Sequence, residues 1–424
     1  MKYLNKNALW VSIAALTLTA CGSSSDNDDT HSHDEDHDHE FSVLVSQSNT
    51  DTLSLLEEGE LEALDTAAAG NGASLVLSEN GAYAAVLANN TIKFVHGLHE
   101  DEHDEEHAEG EEHSEEEHAE EAHVLDFSLT GSNVISTNGH FAVLNGGSTT
   151  FVAYGELETI TQASEDTSAL PLTETYPALI LDETHDLKLV FDGTNAKVFE
   201  GIEEELSFAC ANPSSHAQAH ELVVISCSGG AVSLVVEEGE TEHTFEHETL
   251  TLAGTAANYV WRAQGHVIAG FEPNTSNYAV IELDESGEAP VVEVVQGSDE
   301  GFFTYTDNIC ALELDSEAGD ILTVTDGAQF IALNHAGEEL KSIVLDESAE
   351  SSCVDFVMAP AAKTALLIDN QAMLGYEIDV DEPETNPNGY HVHERFNLIA
   401  NDIASMVIFH DKHGDEEHDD DHDH

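Results

Sequence analysis

Positive charge is the scarcest commodity in this 424-residue chain: 10 Lys and Arg stand against 86 Asp and Glu, a formal net charge of −76. A surface of that sign repels phosphate, so nucleic acid is excluded as a partner, and acidic lipid surfaces are disfavoured for the same reason. The charge alone does not name a ligand, because a salty habitat selects the same composition. Tryptophan occurs twice, too rarely for the recurrent Trp motifs of quinoprotein propellers. No Ser-His-Asp order and no nucleophile motif stands out, so the chain is not read as an enzyme. Five cysteines are present and no CxxC pair, which disfavours a thiolate zinc site. No stretch is apolar for long enough to span a bilayer.

What the chain has in quantity is histidine placed among carboxylates. An N-terminal run holds His31, His33, His37 and His39. An internal run holds His96, His99, His103, His107, His113, His118 and His123. A C-terminal run holds His410, His413, His418, His422 and His424. These runs take 16 of the 26 histidines. Imidazole is the commonest side-chain ligand for late first-row metals, and carboxylates nearby raise the local cation concentration. The competing reading is a solvated acidic spacer with incidental histidines, and it leaves the threefold concentration unexplained. His99, His103 and His107 step by four, which in a helix puts them on one face, whereas His113, His118 and His123 step by five and drift away. Fourteen carboxylates between Glu100 and Glu121 keep the segment open until metal neutralises part of the charge. Zn2+ is the expected ion. Cu2+ or Ni2+ would suit imidazole on affinity, while calcium would leave the histidines unused.

The first residues read as an export signal. Lys2 and Lys6 precede an apolar run from Leu9 to Leu18, and Ala20 precedes Cys21. Leu18-Thr19-Ala20-Cys21 resembles the lipobox of bacterial lipoproteins, a resemblance that implies lipidation of Cys21 and, with Gly22 next, sorting to the outer membrane. Residues 1–20 are then a signal peptide and 21–40 a flexible His/Asp-rich tether. The membrane would be touched only through the lipid. Residues 411–424 read as a second polar tail. An even number of remaining cysteines in an exported chain favours two disulfides, with Cys210 to Cys227 the preferred pair because sixteen residues separate them across a strand-like segment. The partner of Cys310 stays open.

From residue 41 the period is two. Apolar strands recur in units of first strand, turn, second strand, Gly/Asn turn and third strand, as in Ser74–Val95, Asn133–Tyr154 and Ala178–Phe199. Further copies have second strands at 221–226, 266–271, 320–324 and 363–368. The first unit lacks its opening strand, and Asp402–Phe409 looks like the missing one. The expectation is an all-β chain, a single β-propeller over residues 41–410. It has eight blades, with seven as the alternative, and the two chain ends share one blade. A pair of β-sandwiches is the competing fold. The internal His-rich run, 96–123, is then a loop insertion projecting from one face.

Outside the runs, His216 is the preferred ligand, on a loop expected to be fixed by the Cys210 disulfide. His391 and His393 are second candidates, since alternate residues of a strand share a face. His140, His185 and His266 sit beside turns and are read as structural.

Taken together, these features resemble the periplasmic zinc metallochaperones of the AztD type. The resemblance rests on the His/Asp-rich N-terminal tail and on the His-rich insertion followed by Asn133–Tyr154 with its Ala-Val-Leu-Asn-Gly-Gly turn. It rests also on Cys210…His216…Cys227-Ser-Gly-Gly and on Leu322-Thr-Val-Thr-Asp326-Gly327. It implies a propeller that binds zinc and hands it to the zinc-binding solute-binding protein of an ABC importer, acting as a monomer in the cell envelope. The alternative is a scaffold or binding-module propeller lipoprotein that only buffers metal.

Overall fold

The structure, a computed structural model, describes residues 42–409 except 58–59, 69–71, 98–121, 162–164, 171, 238–242, 285–290, 298, 300, 316–318, 346–351, 362–363, 381–388 and 401. Three strands open the described chain: β1 (Val43–Gln47), β2 (Thr52–Glu57) and β3 (Glu60–Ala68). Blade 1 follows with β4 (Ser74–Leu77), β5 (Tyr83–Ala88), β6 (Thr91–His96) and β7 (His123–Thr130). Blade 2 has β8 (Asn133–Thr137), β9 (His140–Asn145), β10 (Ser148–Ala153) and β11 (Glu165–Asp166). Blade 3 has β12 (Tyr176–Asp182), β13 (Leu187–Phe191), β14 (Asn195–Glu200) and β15 (Glu203–Ala209). Blade 4 has β16 (Ser215–Ala219), β17 (Leu222–Cys227), β18 (Gly230–Glu237) and β19 (Thr244–Leu250). Blade 5 has β20 (Val260–Gln264), β21 (Val267–Phe271), β22 (Tyr278–Asp284) and β23 (Val291–Gln296). Blade 6 has β24 (Ile309–Leu314), β25 (Ile321–Thr325), β26 (Gln329–Leu333) and β27 (Glu339–Val344). Blade 7 has β28 (Phe356–Ala361), β29 (Thr364–Asp369), β30 (Leu374–Val380) and β31 (Tyr390–Asn397), and β32 (Ile403–Ile408) comes last.

Each blade is a four-stranded antiparallel sheet in chain order. The exception closes the ring: β32 pairs with β1, Val43 opposite Ile408 and Leu44 opposite Val407, giving the order β3-β2-β1-β32. The fold is therefore an eight-bladed β-propeller with the two chain ends in one blade, as the orphan strands in the sequence predict. Blades hold four strands rather than the three legible in the repeat. The fourth, outer strand is largely exposed, as in β15 and β19, and carries too many charged residues to show an apolar period.

The middle strands carry the core. All six residues of β17 and all six of β29 are buried, and aromatic side chains such as Phe191, Phe199 and Phe330 fill the gaps between neighbouring sheets. The first strands β4, β8, β16, β20, β24 and β28, with β32, wall a central channel of about 760 Å³. In its wall Arg262 of blade 5 joins Glu313 of the neighbouring blade 6 through a two-pronged ion pair, Nε to Oε2 at 2.6 Å and Nη2 to Oε1 at 2.8 Å.

The up-and-down path of each blade fixes its polarity. The turns between first and second strands and between third and fourth strands all lie on one face. Glu79, in the first such turn of blade 1, accepts the backbone N–H groups of Asn138 and Gly139 in the matching turn of blade 2 at 2.9 and 2.8 Å. Two disulfides, Cys210–Cys227 and Cys310–Cys353, lie at strand ends on the opposite face. This settles the second pairing, which the sequence leaves open.

Candidate metal site

Twelve histidines are among the described residues. His96, His123, His140, His185, His220, His243, His266, His335, His391 and His393 stand on the face of the first-to-second and third-to-fourth turns, in those turns or in the strand halves that border them. His216 and His247 are the exceptions. β6 ends and β7 begins on this face, so His96 and His123 are cross-strand partners there, with ring centroids 5.6 Å apart.

One group on this face has the makings of a metal site: Asp182, His185 and His243, whose ligand atoms all lie within 4.8 Å of one another. Local sequence builds the first half. The pairing of β12 with β13 slips between Ile180 and Asp182, a bulge that re-aims the last side chain of the strand. Asp182 then organises the turn. Its Oδ1 accepts the backbone N–H of Thr184 at 2.7 Å and of His185 at 3.3 Å, the Asx-turn habit of aspartate. Its Oδ2 lies 2.6 Å from Nδ1 of His185. Burial by itself would raise the Asp182 carboxyl, but the hydrogen bonds from His185 and from the backbone of His185 and Thr184 outweigh it and hold the group below its usual range.

The second half comes from the next blade. His243 immediately precedes β19, and its ring meets that of His185 edge-on at 4.7 Å. Its side chain is only 7% exposed, and Nε2 points at Oδ2 of Asp182 from 3.3 Å without a hydrogen bond. A buried ring nitrogen aimed at a carboxylate oxygen across that gap has the N···O spacing of two ligands sharing one tetrahedral ion, since metal–ligand distances are about 2.0–2.2 Å. Two imidazoles and one carboxylate make a three-ligand set that leaves a fourth position for water or an incoming ligand.

The structure redistributes the residues singled out from sequence. His99, His103, His107, His113 and His118 lie outside the described residues, as do Cys21 and the terminal tails. His123 is exposed beside His96, whose Nδ1 is 3.0 Å from Glu158 Oε1. His216 is not on a loop: it is the second residue of the inner strand β16, because the Cys210–Cys227 bridge sits below that strand. Its Nδ1 is 3.1 Å from the Tyr176 hydroxyl. The residue is part-buried, and protein surrounds the ring closely enough that desolvation pushes its pKa down to about 4, against a smaller opposing hydrogen bond to the Ser136 backbone. Among the described residues it belongs to no group of three metal-type ligands. His391 and His393 have ring centroids 6.1 Å apart, and His393 Nδ1 is 3.5 Å from Asp379 Oδ2.

His185, expected to be structural, is one of the three residues whose metal-type ligand atoms cluster on this face. Asp182 three residues earlier was the legible signal. His243 carried none, since it arrives from another blade.

An eight-bladed propeller with a histidine/carboxylate cluster on one face is the class of protein that fold and site define. Among solved structures it is similar to apo AztD from Citrobacter koseri, with a TM-score of 0.62 at 11% identity, covering 87% of this chain and 97% of that one. A second structure of Citrobacter koseri AztD gives 0.61 at 12% identity with the same coverage. At such identity the likeness is one of fold. No family model matches the sequence, and no curated protein matches it. No helix among the described residues is long and apolar enough to cross a membrane.

Proposed function

We propose that this protein is a zinc carrier of the cell envelope. It takes up zinc on its histidine face and delivers it to the zinc-binding solute-binding protein of an ABC importer, while Cys21 anchors it through lipid to the outer membrane. The observation that carries the reading is the Asp182–His185–His243 set with its buried, hydrogen-bond-free Nε2. The AztD-like fold and the three His-rich runs support it. A three-ligand site suits a carrier, because a partner's ligand can enter the fourth position before the first three let go.

Competitive zinc titration of the metal-free protein, with native mass spectrometry for stoichiometry, tests uptake. His243→Ala should weaken the tightest step by at least about tenfold, the order of loss when a metal site's built-in support is removed. Binding should also fail on acidification, because protons compete for the imidazole lone pair near the ordinary histidine pKa of ~6.5. Full stoichiometry at pH 5 would rule out histidine ligation. Delivery is tested by mixing the loaded protein with a zinc-free solute-binding protein. Transfer faster than release to a small chelator supports delivery; equal rates reduce the protein to a buffer.

A further inference from the structure

Resting on that reading of the site, we propose a second divalent-cation position beside it, formed by His140 of blade 2 and Glu183 of blade 3. The Nδ1 of His140 lies 2.9 Å from the carbonyl oxygen of Asn138. A carbonyl oxygen only accepts, so Nδ1 carries the proton, and in the neutral ring the lone pair is on Nε2. That nitrogen faces Glu183 Oε1 at 4.0 Å. The distance is too long for a hydrogen bond. Two ligands on one tetrahedral zinc stand about 3.3–3.5 Å apart, so this gap needs to close by roughly half an ångström for the pair to share an ion.

The imidazole is set in place before any ion arrives. Its side chain is 12% exposed and packs edge-on against Phe151 at 6.5 Å. The turn behind it, with Asn138 at φ +38° and Gly139 at φ +76°, is pinned by the Glu79 carboxylate of blade 1. Glu183 is 73% exposed on the opposite side, and its side chain is free to swing the half ångström or so that a tetrahedral angle needs.

A cavity of about 480 Å³ opens at this point, walled by His140, Asp166, Asp182, Glu183, Asp186 and Lys188. The only cation in that wall, Lys188, is ion-paired to Asp186, so the remaining carboxylates leave a net negative field. The turn 182–186 serves both positions, Asp182 for the first and Glu183 for the second. With two protein ligands and water completing its shell, the second position holds zinc more weakly than the first and exchanges it faster. It is the place where an ion enters or leaves the face.

The test is histidine C2-proton exchange in the full-length protein, read peptide by peptide by mass spectrometry across a zinc titration, because it reports each imidazole separately despite the many histidines elsewhere. Zinc should slow exchange at His185 and His243 first and at His140 at higher zinc. Glu183→Gln should raise the zinc concentration for half-protection of His140 at least about tenfold and leave His185 and His243 unchanged. Protection of His185 and His243 without any zinc dependence at His140, or no effect of Glu183→Gln on His140, overturns the second position. Absence of protection at His185 and His243 themselves overturns the first site and the functional reading.

Discussion

At the scale of single residues, buried imidazoles divide into two kinds. His243 keeps a ring nitrogen aimed at an acid with no hydrogen bond to occupy it, whereas His216 shares its Nδ1 with Tyr176 and is held neutral by burial. The second kind makes stability depend on pH. With a folded pKa of about 4 against ~6.5 when unfolded, the unfolded chain takes up a proton in that window and the folded chain does not. The contribution of His216 is therefore whole above pH ~6.5 and declines as pH falls toward 4, by an amount on the order of 3 kcal/mol. Urea unfolding between pH 7 and 4 should show that slope, and His216→Gln should flatten it. An unchanged slope would assign the dependence to other groups. Gly270 shows a steric limit of the same scale: an added Cβ would lie 2.2 Å from Cε3 of Trp261, whose indole N–H donates to the Ser226 hydroxyl at 2.8 Å. Gly270→Ala should cost about 1–3 kcal/mol through overpacking, measurable as a lower urea midpoint with unchanged zinc binding.

At the scale of elements, legibility follows burial. Strands such as β17 and β29 are apolar along their whole length and could be read directly. β15, with the burial of only Phe208 to mark it, and β31 face solvent and hid in the composition. A site ligand was legible only where its partner was local: Asp182 and His185 share a turn, but His243 meets them through the juxtaposition of two blades, which no spacing encodes. His216 lies inside β16 and not on a loop, because the Cys210–Cys227 bridge ties the ends of strands β15 and β17. The hairpin of β6 and β7 yields a prediction of its own. Since His96 and His123 are directly paired and Gly97 is held by the Ala82 carbonyl at 2.9 Å, the hairpin does not need residues 98–121 for its register. Replacing them with a short Asn-Gly turn should leave the melting temperature of the metal-free protein within a few degrees while removing most of the zinc capacity. A collapse in melting temperature would make the segment structural.

At the scale of the whole molecule, the two faces have separate tasks. Disulfides tie one and histidines occupy the other. Loss of the Cys210–Cys227 bridge, a loop of 17 residues, should cost about 3 kcal/mol of stability. It should leave the tightest zinc step unchanged, as Cys210→Ser with Cys227→Ser would report in paired urea and zinc titrations. The closure of the ring has a temporal side. β1 is the first and β32 the last of the described strands, so the pair Val43–Ile408 joins residues near the two ends of the described chain. Until β32 pairs, β1 presents a bare inner edge. Such a long-range pairing comes late and slowly. The unclosed protein is thus an open arc, and the circular form comes into being only when β32 docks on β1.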